Sequence, residues 1–349
     1  MISRLSSILV GVIASLLVTA AATAQQPRLD VGKAAPGLDV RKWFNGPPVK
    51  IESGKVYIIE FWATWCGPCK QSIPHLNSLA KRFASKGLVV IGISDEPAET
   101  VDRFVQEWGD RMSYHVAADR DKATSRAWME AAGQKVIPAA FIVDRNGRVV
   151  HIGNPLDPDF EMIVRLAVAN RWDPKKYAAA LPAIEAAERA ARIRNWSEAY
   201  GHLDRVIATD PSLFVFIAQR RLEIVLAEEQ NAAAAQAYVK ALADLYATDP
   251  TAMIVIAEDL VSNPKYTDAK RLYPQALALA QAIKNVAAEG QPEVFATLAL
   301  VQFHMGDLDA AIENQMQAWM LAVPEDKLEY RRTLDRYRNV AERAAARSN

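Results

Sequence analysis

The sequence predicts a chain of two parts, an α/β sandwich with a mixed sheet over residues 30–170 and an all-α region over residues 171–349. In the first part, short apolar runs rich in β-branched residues alternate with segments of helical periodicity, which is typical of α/β folds. Near its end, the turn sequence "DRNG" separates two apolar runs and predicts a hairpin. After about residue 171, alanine becomes abundant and helical periodicity continues almost to the end of the chain.

The α/β part begins with a strand followed by a helix. The apolar run from Val56 to Trp62 predicts the strand, and apolar residues at helical spacing between Ile73 and Phe83 predict a helix that stops near Gly87. The remaining segments are, in chain order, the strand "LVVIGIS", the helix "AETVDRFVQEWG", the strand "YHVAAD", the helix "DKATSRAWMEAAG", the hairpin strands 139–143 and 148–152, and the helix "DPDFEMIVRLAVAN". Because helical crossovers make parallel strands and a hairpin makes an antiparallel pair, the sheet is predicted to be mixed.

The N-terminus predicts a signal peptide over residues 1–24. Arg4 precedes an apolar run, and Ala22-Thr23-Ala24 forms an A-x-A cleavage signal, so we expect cleavage after Ala24 and a periplasmic, exported protein. The run is shorter than the ~20 residues that a membrane span requires. A form that stays anchored in the membrane is the alternative.

Composition narrows the classes of partner. The chain has 41 basic and 41 acidic residues, and this balance gives no reason to expect nucleic acid as a partner. Nothing in the motifs requires a bound cofactor, so we expect none.

Cys66 and Cys69 are the only cysteines in the 349 residues. A bridge between them closes a small loop, which adds little stability because that effect grows with loop length. A structural zinc site needs about four ligands, and the sequence has neither a second cysteine pair nor a histidine pair at ligand spacing, so we expect no metal. The pair therefore indicates redox chemistry.

Two stretches, "IIEFWATWCGPCK" and "VIPAAFIVDRNGRVV", resemble the thioredoxin fold, and specifically the TlpA/ResA type of thiol–disulfide oxidoreductase. The resemblance covers about residues 30–170. The extra helix and strand at about residues 96–119 are similar to the insertion typical of this group. The resemblance implies an enzyme, a protein-disulfide reductase that works through a Cys-Gly-Pro-Cys dithiol.

The resemblance implies a role for each residue of the motif. Cys66 is expected to be the exposed nucleophile at the start of a helix, where unpaired N–H groups and the helix dipole lower the pKa of a thiol. Cys69, one turn further and more buried, would resolve the mixed disulfide. Gly67 and Pro68 would contact substrate, and proline fits the first turn of a helix because its missing N–H costs little there. The thioredoxin-like Gly-Pro pair favours reduction of substrates over oxidation.

Three further residues receive roles from the same resemblance. Pro138 resembles the family's cis-proline, which presents backbone to the substrate. Trp65 would shield the nucleophile and form part of the docking surface, with a packing aromatic as the alternative. Glu60 falls on the position of the proton-relaying aspartate of thioredoxins, so we expect a buried carboxylate with a raised pKa; an edge carboxylate facing solvent is the alternative. Ser72 stands where some relatives carry a glutamate, which leaves Glu60 as the only acid expected nearby.

Two other chemistries of the same fold fit these residues less well. Peroxiredoxins place a threonine or serine three residues before their cysteine, and this chain has Ala63 there. Copper chaperones space their cysteines by three residues and add a histidine, whereas Cys66 and Cys69 are separated by two.

The all-α region resembles a tetratricopeptide array. The stretch "EVFATLALVQFHMGDLDAAIENQMQAWMLA" has small residues in both helices and Gly306 at the turn, and two earlier segments end in Asp-Pro at residues 210–211 and 249–250. Gln302 and Gln315 depart from the pattern. We expect an α-solenoid of eight to ten helices, with a concave surface that docks a protein partner, or else an array that only enlarges or dimerises the enzyme.

The sequence therefore predicts an exported thiol–disulfide oxidoreductase that reduces protein disulfides and carries a helical-repeat region for docking. The expected partners are protein disulfide or dithiol substrates, an upstream electron donor in the membrane or periplasm, and a protein bound by the repeats. The alternative is a scaffold or adaptor protein in which the redox part is secondary.

Overall fold

A computed structural model of the protein describes residues 28–267, 271–324 and 326–348. The predicted signal peptide, residues 1–24, lies outside them. We call the described residues up to Trp172 the sheet region and those from Asp173 onward the helical region.

The sheet region contains one six-stranded mixed sheet. Its strands are β1 (Val40–Phe44), β2 (Val56–Phe61), β3 (Leu88–Ser94), β4 (His115–Asp119), β5 (Ala139–Val143) and β6 (Val149–Gly153). The spatial order is β1-β4-β3-β2-β5-β6, in which β2, β3 and β4 are mutually parallel and the other pairs are antiparallel. The prediction of a mixed sheet is confirmed, and β2, in which every residue is buried, lies between β3 and β5.

β1 is a strand that the sequence pattern did not predict. It forms one edge of the sheet by pairing antiparallel with β4. Only Phe44 of its five residues is buried, so it lacks the apolar run or the regular alternation by which strands are recognised.

Helices pack on both faces of the sheet. They are α1 (Gly67–Arg82), α2 (Ala98–Trp108), α3 (Ala123–Ser125, continued by a π-helical turn at Arg126–Glu130) and α4 (Phe160–Val168). Apolar residues of α1, α2 and α4 form one core with one face of the sheet, and Trp128 of the π-helical turn packs in a second core on the other face.

The helical region contains nine α-helices within the part of the chain that the structure describes. They are α5 (Pro174–Arg192), α6 (Trp196–Thr209), α7 (Val215–Glu223, continued by a π-helical turn at Ile224–Glu228), α8 (Ala232–Leu245), α9 (Pro250–Ser262), α10 (Tyr273–Val286), α11 (Pro292–Met305), α12 (Leu308–Leu321) and α13 (Lys327–Ser348). Their core is lined by fully buried alanines, which allow helices to approach closely: Ala187, Ala199, Ala218, Ala235, Ala252, Ala257, Ala276 and Ala280. No helix among the described residues is long and apolar enough to cross a bilayer.

The two regions meet at the end of α1 that lies away from the cysteines. Lys86 forms an ion pair with Glu293 of α11 at 3.0 Å, and Ser85 donates a hydrogen bond to Asp326 at 2.5 Å. Since α1 has 16 residues and rises about 1.5 Å per residue, these contacts lie about 24 Å along the helix from Cys66. The helical region is therefore attached far from the start of α1.

Candidate active site

Cys66 and Cys69 form a disulfide at the N-terminus of α1. Cys66 is the N-cap residue of the helix, and its sulfur accepts a hydrogen bond from the backbone N–H of Cys69 at 3.1 Å. The chain turns into the helix here because the N–H of Cys66 is bonded to the carbonyl of Ala63 and Pro68 needs no N–H partner in the first turn. A donor and a helix dipole directed at this sulfur favour its thiolate form.

The two sulfurs differ in accessibility less than the sequence analysis expected. Cys66 is 4 % exposed and Cys69 is 0 % exposed, so the prediction of an exposed Cys66 needs correction for this oxidised form. The reason is geometric, because the Cys66 sulfur turns inward to bond Cys69 and lies 3.8 Å from the carbonyl oxygen of Ile137. Cys66 nevertheless holds the outer sulfur of the pair.

Exposed residues surround the disulfide. Trp65 is 73 % exposed, which excludes the alternative that it is a packing aromatic, and Gly67 and Pro68 are exposed beside it. Val136, which directly precedes Ile137, is 76 % exposed, a feature that the sequence analysis missed. Two exposed apolar side chains near Cys66 form a surface on which a polypeptide can lie.

Pro138 lies directly after the carbonyl that approaches Cys66. The Ile137–Pro138 peptide bond is cis. Pro138 is buried and Ile137 is half-buried, and the backbone carbonyl of Ile137 is the group that lies 3.8 Å from the Cys66 sulfur.

Glu60 is a fully buried carboxylate in β2. It stands in register with Gly92 of β3 and Ala140 of β5 and is 0 % exposed, which excludes the alternative of an edge carboxylate facing solvent. Its two oxygens accept hydrogen bonds from Ser72 Oγ at 2.6 Å and from Tyr114 Oη at 3.1 Å. Burial raises the pKa of Glu60 to about 7, although both hydrogen bonds act in the opposite direction.

Ser72 and Tyr114 are site residues that the sequence analysis did not identify as such. Ser72 Oγ also lies 3.0 Å from the carbonyl oxygen of Cys69, so one hydroxyl stands between Glu60 and the turn of helix that carries Cys69. Tyr114 comes from the segment just before β4, and no local pattern marks its approach to a residue 54 positions earlier.

A second carboxylate lies close to the cysteine loop. Glu96 accepts hydrogen bonds from the backbone N–H of Thr64 at 2.6 Å and from Thr64 Oγ1 at 2.8 Å. The expectation that Glu60 is the only acid nearby is therefore wrong. A signal for Glu96 existed, because it follows β3 directly and the carboxyl ends of the parallel strands β2 and β3 meet at one edge of the sheet.

Two cavities of the structure do not include the disulfide. A cavity of about 1060 Å³ lies between the two regions near Arg82 and Glu293, and another of about 830 Å³ lies near Arg28 and Arg126; neither is lined by a cysteine. Across the described ranges, no group of three or more histidine, cysteine or carboxylate side chains is arranged to hold a metal ion. The exposed residues next to the disulfide, Trp65 and Val136, are suited to contact with a macromolecule that presents its own disulfide.

Comparisons with known proteins agree with this geometry. The family model described as the AhpC/TSA family matches residues 31–152. A thiol-disulfide oxidoreductase ResA from Bacillus cereus is 30 % identical over 130 residues, which are 36 % of this chain and 71 % of that protein. Protein FixW from Rhizobium leguminosarum is 27 % identical over 135 residues, which are 36 % of this chain and 61 % of that protein.

A solved structure is also similar to a part of the chain. A thiol:disulfide interchange protein of the thioredoxin family from Chlorobium tepidum is 29 % identical and covers 39 % of this chain and 96 % of its own, with a TM-score of 0.34.

Proposed function

We propose that this chain, which belongs to the ResA-type family of thiol–disulfide oxidoreductases, is an exported enzyme that reduces protein disulfides through its Cys66–Cys69 dithiol. The observation that carries the proposal is the placement of Cys66. Its sulfur is the outer one of the pair, accepts the Cys69 N–H at 3.1 Å and lies beside the exposed side chain of Trp65.

The proposed reaction starts from the reduced dithiol. The Cys66 thiolate attacks one sulfur of a substrate disulfide, so a mixed disulfide forms and the first substrate thiolate leaves. The Cys69 thiol then loses its proton and attacks Cys66 Sγ. The Cys66–Cys69 bond forms, the bond to the substrate breaks, and the substrate is released as a dithiol while the enzyme is oxidised. An external dithiol donor must then reduce the enzyme.

Glu60 is proposed to take and return the proton of Cys69. It is buried, and its pKa of about 7 suits a general acid–base group at neutral pH. The backbone around Pro138, together with Trp65, Gly67 and Pro68, is proposed to bind the substrate chain on either side of its disulfide.

Export and the electron donor remain proposals drawn from the sequence. The predicted signal peptide favours a periplasmic protein, and a protein there has no cytosolic thiol pool to reduce it. A membrane or periplasmic dithiol donor would therefore supply the electrons. We also propose domain boundaries at residues 30–170 for the redox domain and 171–349 for the tetratricopeptide-like domain.

The helical domain is proposed to dock a protein partner. Because it is attached about 24 Å along α1 from Cys66, a partner held there must be large enough to reach the disulfide. The same separation favours a second candidate function, in which the helical domain is an adaptor whose partner is not the disulfide substrate.

A trapping experiment tests the proposed chemistry. Cys69→Ser leaves Cys66 without a resolving thiol, so mixed disulfides with substrates accumulate and reductant releases them. Cys66→Ser is the matched control and should trap little, because the remaining Cys69 is fully buried. Equal trapping by the two variants would overturn the assigned roles.

A further inference from the structure

We propose that Ser72 and Tyr114 are positioning residues that hold the Glu60 carboxylate for proton exchange with Cys69. This inference rests on the proposed function of Cys66 and Cys69 and assigns two residues to its second step. Its basis is the set of contacts that surrounds a single buried acid.

Tyr114 fixes one oxygen of the carboxylate. Its hydroxyl donates to Glu60 Oε2 at 3.1 Å, and both side chains are buried. Burial and the neighbouring Glu60 raise the pKa of Tyr114 well above its ordinary value. The phenol therefore stays protonated and remains a donor over the whole range in which Glu60 titrates.

The packing around Tyr114 leaves no room for a larger neighbour. A Cβ on Gly92 would lie 3.0 Å from Trp62 Nε1 and 3.1 Å from Tyr114 Cε2. Since Gly92 is in register with Glu60 on the adjacent strand, glycine at this position lets the tyrosine ring lie against the sheet beside the carboxylate. The approach of Tyr114 to Glu60 is thus set by the sheet as well as by one hydrogen bond.

Ser72 fixes the other oxygen and links it to the cysteine turn. Its hydroxyl donates to Glu60 Oε1 at 2.6 Å and lies 3.0 Å from the carbonyl oxygen of Cys69, three residues earlier in α1. Serine hydroxyls in helices commonly turn back toward the preceding turn in this way. The contact directs Glu60 Oε1 toward the part of α1 that carries Cys69.

The groups that face Glu60 carry no charge at neutral pH. They are Ser72, one turn after Cys69 in α1, Gly92 in β3, Ala140 in β5, and Tyr114 before β4. Among the described residues, desolvation and these two hydrogen bonds account for the pKa of Glu60, with no ion pair contributing. Both hydrogen bonds favour the charged carboxylate, so removing either one must raise that pKa.

Resolution of the mixed disulfide moves one proton from Cys69 to Glu60. As Cys69 attacks, its S–H bond breaks and an O–H bond forms on Glu60, while the electron pair stays on sulfur and makes the new bond to Cys66. The leaving substrate sulfur takes the electron pair of the old S–S bond, and Glu60 later returns its proton to a thiolate or to water. Ser72 and Tyr114 keep the carboxylate oriented and neither gains nor loses a proton.

Stopped-flow reaction with dithiobis(nitrobenzoate) isolates this step. The reduced protein releases one thionitrobenzoate when Cys66 attacks, and a second when Cys69 resolves the mixed disulfide. Because this leaving group departs as a thiolate, the second phase reports deprotonation of Cys69 alone. We expect the rate of that phase in the full chain to change with pH around about 7. Glu60→Gln should remove this inflection and slow the step about 100-fold at high pH.

The roles of Ser72 and Tyr114 are tested by the pH at which the rate of the second phase shows its inflection. Tyr114→Phe and Ser72→Ala should each move it upward by about one pH unit, since a hydrogen bond to a charged group is worth about that much. Ser72→Thr keeps the hydroxyl and should restore the wild-type position. Tyr57→Phe is the matched control. Tyr57 is a buried tyrosine in β2, the strand that carries Glu60, but its hydroxyl forms hydrogen bonds with the backbone of Lys50 and Glu52 rather than with Glu60.

The possible results distinguish the positioning roles of Ser72 and Tyr114 from the proposed dithiol chemistry of Cys66 and Cys69. An inflection that stays in place in both Tyr114→Phe and Ser72→Ala, or that moves equally in Tyr57→Phe, would overturn the positioning roles and leave the dithiol chemistry intact. Absence of a second thionitrobenzoate phase in the wild-type protein would contradict the resolving role of Cys69 itself.

Discussion

Two buried carboxylates, one in each region of the molecule, have opposite environments and opposite pKa shifts. In the sheet region, Glu60 is fully buried and is bound by a serine and a tyrosine, and burial raises its pKa to about 7. In the helical region, Asp249 is buried as the N-cap of α9. Burial alone would raise its pKa too, but hydrogen bonds from Arg171 and Ser212 hold the pKa of Asp249 below its usual value.

The difference shows which buried acid is structural. Arg171 binds Asp249 through two hydrogen bonds of 2.8 Å and joins the sheet region to the start of α9. A carboxylate neutralised in this way keeps one charge state near neutral pH and serves stability. Glu60 has no cation and changes charge near neutral pH, which costs stability and permits proton exchange.

The largest expected effect on stability comes from Glu60. Its folded pKa of about 7 exceeds the ordinary value of 4.5, so the folded state holds the proton more tightly than the unfolded state. The contribution of Glu60 to the stability of the wild-type protein must therefore fall as pH rises from about 4.5 to about 7. The fall should reach about 3 kcal/mol, from 1.36 kcal/mol per pKa unit. Glu60→Gln should remove it, as measured by urea unfolding at several pH values.

The oxidised protein is the sample for this measurement, because its disulfide keeps the two thiols from titrating. Asp249→Asn serves as the control, since it changes a buried acid of the helical region whose pKa is lowered rather than raised. A pH dependence that persists unchanged in Glu60→Gln would place its origin elsewhere.

Arg171→Ala should have the next largest effect on the stability of the folded protein. It leaves Asp249 buried without its cation, and we expect a loss of about 2 kcal/mol, less than for a fully buried pair because Arg171 is partly exposed. The double variant with Asp249→Asn should recover most of that loss, since the amide still caps α9 without a charge. The rate of disulfide reduction should stay unchanged in all three variants; a large loss of activity in Arg171→Ala alone would mean that this ion pair supports the redox site.

The sign of the Asp249 contribution is opposite to that of Glu60. Because the pKa of Asp249 is lower in the folded state, this carboxyl stabilises the protein at pH values above its ordinary pKa of 3.8. That contribution is lost as pH falls through the folded pKa. Acid unfolding of the wild-type protein should therefore begin at lower pH than that of Arg171→Ala.

Removing the helical region should have the smallest effect, measured as the rate of disulfide reduction. A chain that ends at Asp173 retains the disulfide, Glu60, and Trp172, whose indole N–H donates to the carbonyl of Val150 at 2.9 Å. We expect this chain to reduce insulin at the rate of the full protein. With Cys69→Ser added, it should capture native partners poorly if the helical domain docks them. A truncated chain as inactive as Cys66→Ser would show that the two regions form one catalytic unit.

Sequence reasoning succeeded where the signal is local. The strands β2 to β6 are apolar runs, the helices carry regular periodicity, and a lone cysteine pair in a strand–turn–helix context leaves few interpretations. Burial of Glu60 was also predictable, because an acid within the apolar run "VYIIEFW" has no polar face on which to lie. The edge strand β1 was missed because an exposed edge does not need an apolar pattern.

The remaining site residues depend on tertiary contacts. Tyr114 and Glu96 reach the site through the order of the parallel strands, which brings residues far apart in sequence close together: Glu96 comes after β3, and Tyr114 immediately precedes β4. The near-complete burial of Cys66 was missed because it depends on which way the sulfur turns in the disulfide. Whether the alanine-rich helices form tetratricopeptide repeats stays a prediction.

The most direct test of the contrast between the two buried acids is a carboxyl carbon-13 NMR titration of the oxidised full-length protein. Glu60→Gln and Asp249→Asn assign the two resonances by their loss. The resonance of Glu60 should titrate at about 7 and that of Asp249 below 3.8. A Glu60 resonance that titrates near 4.5, its ordinary value, would contradict the assignment of Glu60 as the acid that exchanges protons at neutral pH.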